Sequence, residues 1–447
     1  MMIRCRSLTA LFTLHTLSIV AAAKTTADND FYKDDADTLS SNLISWLRDN
    51  GAYINDKLVV KNDGSYRGVF ATQDMDAGEK ICSIPSNLII QPTEELMENE
   101  DDIEATDCIT IKAVMNAMSD GDDEATPYGK YLAAQTSGYL PSFWSNSGKD
   151  LLSTMLKSAR KEQLTESRAD DDYNPLQYDE LPPHGVRDMI DELKIDCNAG
   201  DDLINDPKYL LAAMLVTSRA DYDYMIPFYD MFNHNNAKYN IQHDESQEND
   251  EREIASSHLG FTLSKSIKAS EELLLSYNRC DICSDRLDWF GTPEMWLQYG
   301  FVESIPQRWL FDFARVKFEL EWKDGDESTG EVVVNFLVPM SSKGKSLLQE
   351  ELTRLDTFAA EHRHKSHEEY GDMSLFEWES LWQYYDALHN AIILATTQSD
   401  DMKLSEEVWT LGHDWWVKDG TLKEEDNEDH YEGHYVLRTK SLTNDEL

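Results

Sequence analysis

The sequence predicts an α+β protein in which short strands are interrupted by a helical insertion and followed by a mainly helical C-terminal domain. Short apolar runs between turn residues fill two separate stretches, 57–90 and 225–276. Longer patterns with helical spacing lie between these stretches and after them. The length of 447 residues exceeds what one hydrophobic core usually serves, so we expect two or three packed units.

The N-terminal part predicts one helix and a small antiparallel β unit. A short helix is expected from Ser40 to Gly51, because the apolar residues at 43, 44, 46 and 47 share one face and Asn50-Gly51 is a typical helix end. Turn signals at Asn62-Asp-Gly64 and Asp76-Ala-Gly78 separate the strands that follow. These strands are predicted at 57–60, 68–72, 80–83 and 88–90.

A helical insertion is predicted from about residue 91 to residue 207, where helical patterns are split by acidic or polar loops. A helix rich in Leu, Ala and Met then covers Lys208 to Arg219. Strands resume at Met225 to Tyr229, near Ile241, and at 259–263 and 272–276.

The C-terminal part predicts a separate unit over 305–422. Two β-like runs, 309–322 and 332–338, precede amphipathic helices at 347–359 and 376–395. Residues 423–447 form an acidic tail that ends in Asn444-Asp-Glu-Leu447. We find no internal repeat in the sequence.

The composition excludes some functions and favours others. Hydrophobic content of 41% and aromatic content of 10% are enough for a globular core. The 85 acidic and 40 basic residues give a net charge of −45, and such a surface repels nucleic acid and anionic lipid. We therefore expect no nucleic-acid partner. An acidic surface attracts basic protein segments, although solubility alone explains the charge equally well.

The two ends of the sequence predict a location. Residues 1–23 combine Arg4 and Arg6, an apolar run and Ala21-Ala-Ala23, the pattern of a secretory signal peptide, with a transit sequence as the alternative. The final Asn-Asp-Glu-Leu is one substitution from the Lys-Asp-Glu-Leu retention signal. We expect the endoplasmic reticulum lumen, with secretion as the alternative. No later segment is apolar enough to predict a membrane span.

Five cysteines follow the predicted signal peptide, namely Cys82, Cys108, Cys197, Cys280 and Cys283. Because five is odd, at least one thiol stays free unless it pairs between chains. The Cys280-Asp-Ile-Cys283 pair could form a local disulfide, a redox pair or half of a zinc site. No second close Cys/His pair completes four ligands, so we expect no metal. A redox role requires a thioredoxin-like βαβ unit, and none is evident.

One stretch and two downstream segments suggest a binding site. The apolar run from Met225 ends in Asn233-His234, and Tyr277 and Tyr299 each follow a later apolar segment. Buried tyrosines and an Asn-His corner can hold a nucleotide-like cofactor and orient a single amine. Each tyrosine taken alone is more simply a core residue with a satisfied hydroxyl.

Four groups of motifs occur in an order that resembles the SET-domain protein methyltransferases, in particular the branch typified by the plant Rubisco large-subunit lysine methyltransferase. Each motif alone is common, whereas four in this order are specific. The resemblance covers about residues 40–305. The motifs are Trp46–Ala52 with Arg67–Thr72, Asp76–Glu79 and Ile84-Pro85; Tyr131-Leu132 with Pro141–Trp144; Ser218–Ala220 with Pro227 and Asp230–His234; and Ser276-Tyr277 with Tyr299–Phe301.

The resemblance implies a SET domain over residues 40–304, whose C-terminal segment threads through a preceding loop, and a substrate-binding domain over 305–422. It also implies S-adenosylmethionine as the cofactor and a protein substrate that enters from the opposite face. The implied site residues are Tyr277 and Tyr299 for catalysis; Ser65, Arg67, Gly68, Asn233, His234 and Phe301 for the cofactor; and Arg219 and Asp230 for the substrate.

These assignments imply a division of roles. The Tyr277 hydroxyl would orient the amine and the methyl group, and Tyr299 would line the channel beside it. A substrate lysine must lose a proton, its unperturbed pKa is about 10.4, and an apolar channel lowers that pKa. Asn233 and His234 would contact the adenine through backbone groups, so His234 is not expected to act as a general base.

Two departures from the family pattern affect the substrate side. Asp223 stands where many relatives carry a second arginine, and residues 278–292 replace a typically short segment. We therefore predict a protein-lysine N-methyltransferase, with three alternatives. These are a protein-histidine methyltransferase, a non-catalytic SET-fold module that binds basic partners, and thiol redox chemistry at Cys280 and Cys283. The substrate, the degree of methylation and the oligomeric state stay open.

Overall fold

We describe the fold from a computed structural model. It covers residues 29–62, 67–92, 106–119, 125–136, 138–157, 181–183, 193–195, 197–221, 224–244, 258–277, 290–325, 327–338 and 340–398.

Four strands form the first sheet, in the order β1-β4-β7-β6, and every neighbouring pair is antiparallel. The two central strands come from opposite sides of the helical insertion, since Cys82 of β4 lies opposite Phe261 of β7. The strands are β1 (Tyr53–Ile54), β4 (Lys80–Pro85), β6 (Ile241–His243) and β7 (His258–Leu263).

A second sheet has the order β2-β3-β8-β5 and contains β2 (Leu58–Asn62), β3 (Arg67–Ala71), β5 (Asn233–His234) and β8 (Glu272–Leu275). Strand β5 is parallel to β8, whereas the other two pairs are antiparallel. The N-terminal β unit is thus completed by strands that follow the insertion. This interleaving brings residues from 67 to 277 together.

Helices α1 (Asn29–Asp49), α2 (Thr106–Ser119), α3 (Pro127–Ala133), α5 (Asp201–Ile204) and α6 (Pro207–Arg219) belong with these sheets, and their apolar side chains share a first core with them. Helix α6 begins where the Asp206 carboxylate accepts a hydrogen bond from the Lys208 amide. A disulfide between Cys108 and Cys197 joins α2 to the segment before α5. Cys82 is buried with a free thiol.

A second core lies in the C-terminal part, around the antiparallel sheet β11-β10-β9 and two long helices. Trp296, from the helix that ends at Tyr299, stacks on Tyr384 with ring centroids 4.2 Å apart and donates a hydrogen bond to Ser380. The elements that contribute are β9 (Gln307–Phe311), β10 (Val316–Trp322), β11 (Val332–Val338), α4 (Asn146–Leu156), α7 (Thr292–Tyr299), α8 (Ser342–His362) and α9 (Leu375–Gln398).

Three predicted strands are wrong in detail. The predicted strands 88–90 and 225–229 reduce to a single bridge between Ile90 and Met225. Pro227 cannot donate to a ladder, and Phe228 has φ of 73°, so the chain turns into a 3₁₀ helix instead. The run 309–322 is a hairpin of β9 and β10, because Arg315 adopts a left-handed conformation between them. None of the described helices is long and apolar enough to cross a membrane.

Candidate active site

The Asn233-His234 corner is placed by the parallel pairing of β5 with β8. Asn233 lies opposite Leu274 and His234 opposite Leu275. The Asn235 amide then donates to the Leu275 carbonyl at 2.8 Å. Since β8 ends two residues before Tyr277, this register brings the corner beside that tyrosine. Residues 43 positions apart in the sequence thus become neighbours.

Both ring nitrogens of His234 are engaged. Nδ1 accepts a hydrogen bond from the Tyr277 amide at 2.9 Å, and Nε2 lies 3.3 Å from Oε2 of Glu303. The partners therefore assign the neutral tautomer with its proton on Nε2. The ring is almost fully buried, with 2% of its side chain exposed. This geometry leaves neither nitrogen available to a substrate, in agreement with the expectation that His234 is not a general base.

Tyr277 is fixed at its hydroxyl as well as at its backbone. The phenol donates a hydrogen bond to the Phe232 carbonyl at 2.5 Å, and its ring centroid lies 4.8 Å from that of Tyr299. The hydroxyl oxygen keeps lone-pair capacity, so it can still accept an N–H from an amine. The two tyrosines thus form one wall with an oriented acceptor.

Both tyrosines are half-buried as residues, and the surrounding protein buries their phenol groups. This burial raises the pKa of Tyr277 and of Tyr299 well above the usual value for a phenol, and the positive charge of Arg219 opposes the shift at Tyr277 only partly. Both phenols are therefore protonated and neutral at physiological pH. They can orient an amine but do not act as bases.

Gly300 connects Tyr299 to Phe301 with a left-handed turn at the end of α7, with φ of 77°. A Cβ at this position would lie 2.7 Å from the Tyr139 carbonyl oxygen. The turn brings the Phe301 ring to 5.8 Å from His234 and 6.4 Å from Tyr277. Tyr277, Tyr299 and Phe301, which the sequence predicts on the two halves of the site, therefore lie next to one another.

Gly68 serves the packing of the second sheet. The Asn233 side chain donates to the Arg67 carbonyl of β3 at 2.5 Å and to the Glu272 carboxylate of β8 at 2.9 Å. A Cβ at Gly68 would lie only 2.3 Å from the Glu272 carboxylate. The structure thus gives Gly68 a reason to lack a side chain, and its contact with a cofactor stays a prediction.

A charged cluster of Arg67, Arg219 and Asp230 lies near Tyr277, since all three act electrostatically on its hydroxyl. Arg219 lies 3.9 Å from the Asp230 carboxylate and donates to Tyr131 at 3.5 Å, and the Arg67 guanidinium lies over the Tyr131 ring at 5.2 Å. Burial raises the pKa of Asp230, and the charges of Arg219 and Arg67 oppose this shift. Burial also raises the pKa of Tyr131, to about 12.

Several buried polar atoms of this cluster have no hydrogen-bond partner among the described residues. They are both carboxylate oxygens of Asp230, Nε of Arg67 and the hydroxyl of Tyr128. Buried polar groups are normally satisfied, so such a concentration of unsatisfied atoms is typical of a site that receives a polar ligand. Two cations and one carboxylate suit a zwitterionic amino-acid group.

Some predicted residues lie outside the part of the chain that the structure describes, and some residues of the site were not predicted. Ser65, Asp223, Cys280 and Cys283 lie outside the described residues. Tyr131 and Glu303 contact predicted site residues, and Tyr128 stacks on Tyr131, although none of the three was assigned a role. Tyr131 belongs to one of the motifs on which the family resemblance rests, whereas no motif in the sequence marks Tyr128 or Glu303.

Part of the chain matches a known domain family. Residues 66–278 match the SET domain family model. This part of the chain therefore matches a SET domain, and the predicted SET-domain resemblance and fold class are confirmed. An uncharacterized protein from Schizosaccharomyces pombe is 24% identical over 318 residues, which cover 63% of this chain. The chain spans 60% of the length of that relative.

Similar solved structures are those of a Rubisco lysine methyltransferase, abbreviated LSMT. The SET domain of LSMT bound to lysine and AdoHcy has a TM-score of 0.44 and 13% identity, covering 83% of this chain and 94% of that chain. Rubisco LSMT bound to sinefungin and monomethyllysine has a TM-score of 0.43 and 14% identity, covering 84% and 97%. Rubisco LSMT bound to AdoMet has a TM-score of 0.44 and 13% identity, covering 84% and 98%.

Proposed function

We propose that this protein is an S-adenosylmethionine-dependent protein-lysine N-methyltransferase. The observation that carries the proposal is the position of Tyr277. Its hydroxyl is oriented by the Phe232 carbonyl, its ring lies against Tyr299, and its backbone is bound to the His234 corner. Tyr277 therefore contacts both His234, which is predicted to bind the cofactor, and Tyr299, which is predicted to line the lysine channel.

The charged cluster fits the cofactor. S-Adenosylmethionine, when bound, supplies a methyl group on a sulfonium sulfur, and its amino-acid end carries a carboxylate and an ammonium. The resemblance implies a substrate role for Arg219 and Asp230, but their place beside Arg67 supports a cofactor role instead. Arg67 and Arg219 provide positive charge for a carboxylate, and the Asp230 oxygens, which lack a hydrogen-bond partner among the described residues, can accept from an ammonium. Phe301 and the Asn233-His234 corner remain the proposed partners of the adenine.

Methyl transfer forms a bond from the amine nitrogen to the methyl carbon and breaks the bond from that carbon to sulfur. The chain's contribution is alignment, which supplies much of the catalysis in such displacements. The Tyr277 oxygen accepts an N–H from the neutral amine. This hydrogen bond orients the lone pair of the amine nitrogen toward the methyl carbon. Burial beside the two tyrosines removes the amine from water and so disfavours its ammonium form. Methylation leaves the positive charge on the nitrogen, and the methylated ammonium then loses one of its N–H protons to water.

The decisive experiment compares Tyr277→Phe with wild type, using labelled S-adenosylmethionine and an extract of secretory-pathway proteins. We expect kcat to fall about 100-fold or more, because removing one preorganised polar group from an active site has effects of that size. Mass spectrometry of the labelled proteins identifies lysine or histidine as the acceptor. Histidine as the acceptor would replace the lysine proposal by the alternative.

Tyr384→Phe is a matched control. The Tyr384 hydroxyl is also buried and also donates to a main-chain carbonyl, that of Pro182, but it lies in the second core. We expect this variant to keep the wild-type kcat. If both variants retain full activity, the catalytic assignment fails. If wild type binds no S-adenosylhomocysteine in calorimetry at millimolar concentration, the non-catalytic module becomes the better description.

The disulfide supports a location for this activity. Structural disulfides persist in oxidising compartments, and Cys108 and Cys197 are paired in the first core. This agrees with the endoplasmic reticulum lumen predicted from the two terminal segments. Fractionation combined with alkylation under non-reducing conditions tests the proposal. A cytosolic protein with free thiols at both positions would contradict it.

A further inference from the structure

The Glu303 carboxylate connects three segments of the site. It is almost fully buried, with 2% of the residue exposed. Its Oε2 accepts from Asn236 Nδ2 at 2.5 Å and lies 3.3 Å from His234 Nε2, and its Oε1 accepts from the Thr292 hydroxyl at 2.6 Å. A buried carboxylate is tolerated only when its oxygens are satisfied, and here three donors satisfy them.

The three donors belong to the elements that carry the predicted site. His234 and Asn236 come from the corner after β5, and Asn236 also accepts a hydrogen bond from Ser276, next to Tyr277. Thr292 is the first residue of α7, the helix that ends at Tyr299. Glu303 itself follows Phe301 by two residues. One side chain therefore ties the cofactor corner to both ends of the segment that carries Tyr299 and Phe301.

The contact with His234 extends to the proposed catalytic tyrosine. Because Oε2 of Glu303 is an acceptor, it favours the proton on His234 Nε2. Nδ1 then has the free lone pair that receives the Tyr277 amide. The opposite tautomer would place two N–H donors against each other at Nδ1. The charge on Glu303 thus determines whether the Tyr277 main chain is held.

We propose that Glu303 is a positioning residue of the methyl-transfer site, which holds His234 in its Nε2–H tautomer and thereby holds Tyr277 against the cofactor corner. The proposal rests on the methyltransferase function proposed above. Glu303 touches neither substrate nor cofactor in this scheme, and it acts through His234, Asn236 and Thr292.

Glu303→Gln tests the charge at nearly constant shape. The amide keeps one acceptor oxygen, which cannot serve His234, Asn236 and Thr292 as two carboxylate oxygens do. Nitrogen-15 NMR of histidine-labelled protein, assigned with His234→Asn, reports the tautomer directly. We expect loss of the pure Nε2–H signature in Glu303→Gln, at least fivefold weaker binding of S-adenosylhomocysteine, and a kcat at least tenfold lower. Glu303→Asp should recover part of each effect.

Glu377→Gln is the matched control. The Glu377 carboxylate also accepts three hydrogen bonds, from the Ser145 amide and hydroxyl and from the Ser374 amide, but it joins α4 to α9 in the second core. We expect this variant to match Glu303→Gln in lost stability while its tautomer signal and ligand binding stay at wild-type values. Equal effects of both variants on the site would overturn the proposal, since they would indicate general destabilisation.

An unchanged His234 signal in Glu303→Gln would also overturn it. The NMR measurement needs no turnover, so it decides on Glu303 even if wild type transfers no methyl group. In that case the proposed function fails by itself, while a shifted tautomer still supports the positioning role. Conversely, an active wild type with an unchanged His234 signal in the variant rejects Glu303 alone.

Discussion

The disulfide between Cys108 and Cys197 is expected to account for a large share of the stability of the first core. The two residues are separated by 89 positions, and closing a loop of that length is worth about 4 to 5 kcal/mol through the entropy of the unfolded chain. Whole domains are stable by only about 5 to 15 kcal/mol. We therefore predict that reduction removes a large part of the free energy of unfolding of this core.

Urea denaturation with and without dithiothreitol measures this difference, because reduction leaves every side-chain atom in place. The fluorescence of Trp46, which packs against the first core, reports its unfolding. A background with Cys280→Ser and Cys283→Ser confines the effect of reductant to the disulfide described above. We expect the reduced protein to lose about 4 kcal/mol.

The buried free thiol of Cys82 offers a control. Cys82→Ala removes one sulfur from the same core without opening a loop, so we expect a loss of only about 1 kcal/mol. Coincident unfolding curves with and without reductant would refute the reasoning. So would a loss in Cys82→Ala as large as the loss on reduction, since packing rather than loop closure would then explain both.

Three further outcomes are expected. Gly300→Ala should cost more stability than Gly325→Ala in thermal unfolding. Both glycines have positive φ, but a Cβ would meet the Tyr139 carbonyl only at Gly300. Equal losses of stability would contradict this prediction. Burial raises the pKa of Glu294 to about 7, so its carboxylate opposes folding increasingly as pH rises from about 4.5 through 7. Glu294→Gln should therefore gain about 2 to 3 kcal/mol at pH 8 and little at pH 4.5, whereas a pH-independent gain would refute the shift. Arg219→Lys should weaken S-adenosylhomocysteine binding about tenfold in calorimetry, because lysine lacks the guanidinium fork, and unchanged affinity would remove Arg219 from the site.

Most regular elements could be predicted because their sequence patterns are local. The helix at 207–219 and the strands around 58–62, 67–71 and 272–275 all appear close to their predicted bounds. The predicted strand at 225–229 failed, because an apolar run can be buried without being extended. There the proline and the positive φ of Phe228 decide the conformation, and the packing around Phe228 sustains it.

The candidate site could be predicted only in part, for a similar reason. Tyr277 and Tyr299 stand out because each follows an apolar segment, and the resemblance to the SET family adds Phe301. The structure brings these three rings together. Glu303 has no such signal in a chain with 85 acidic residues. Only the fold distinguishes a buried carboxylate with three donors from one on the surface.

The SET-type motifs, the order of the elements and the residue types of the candidate site follow from the sequence alone, because motifs and periodicity are properties of neighbouring positions. The tertiary structure decided the pairing of Cys108 with Cys197, the tautomer of His234 and the grouping of Arg67 with Arg219 and Asp230. These depend on contacts between residues far apart in the chain. Hydrogen bonds and burial, which set charge states and orientation, exist only once those residues meet.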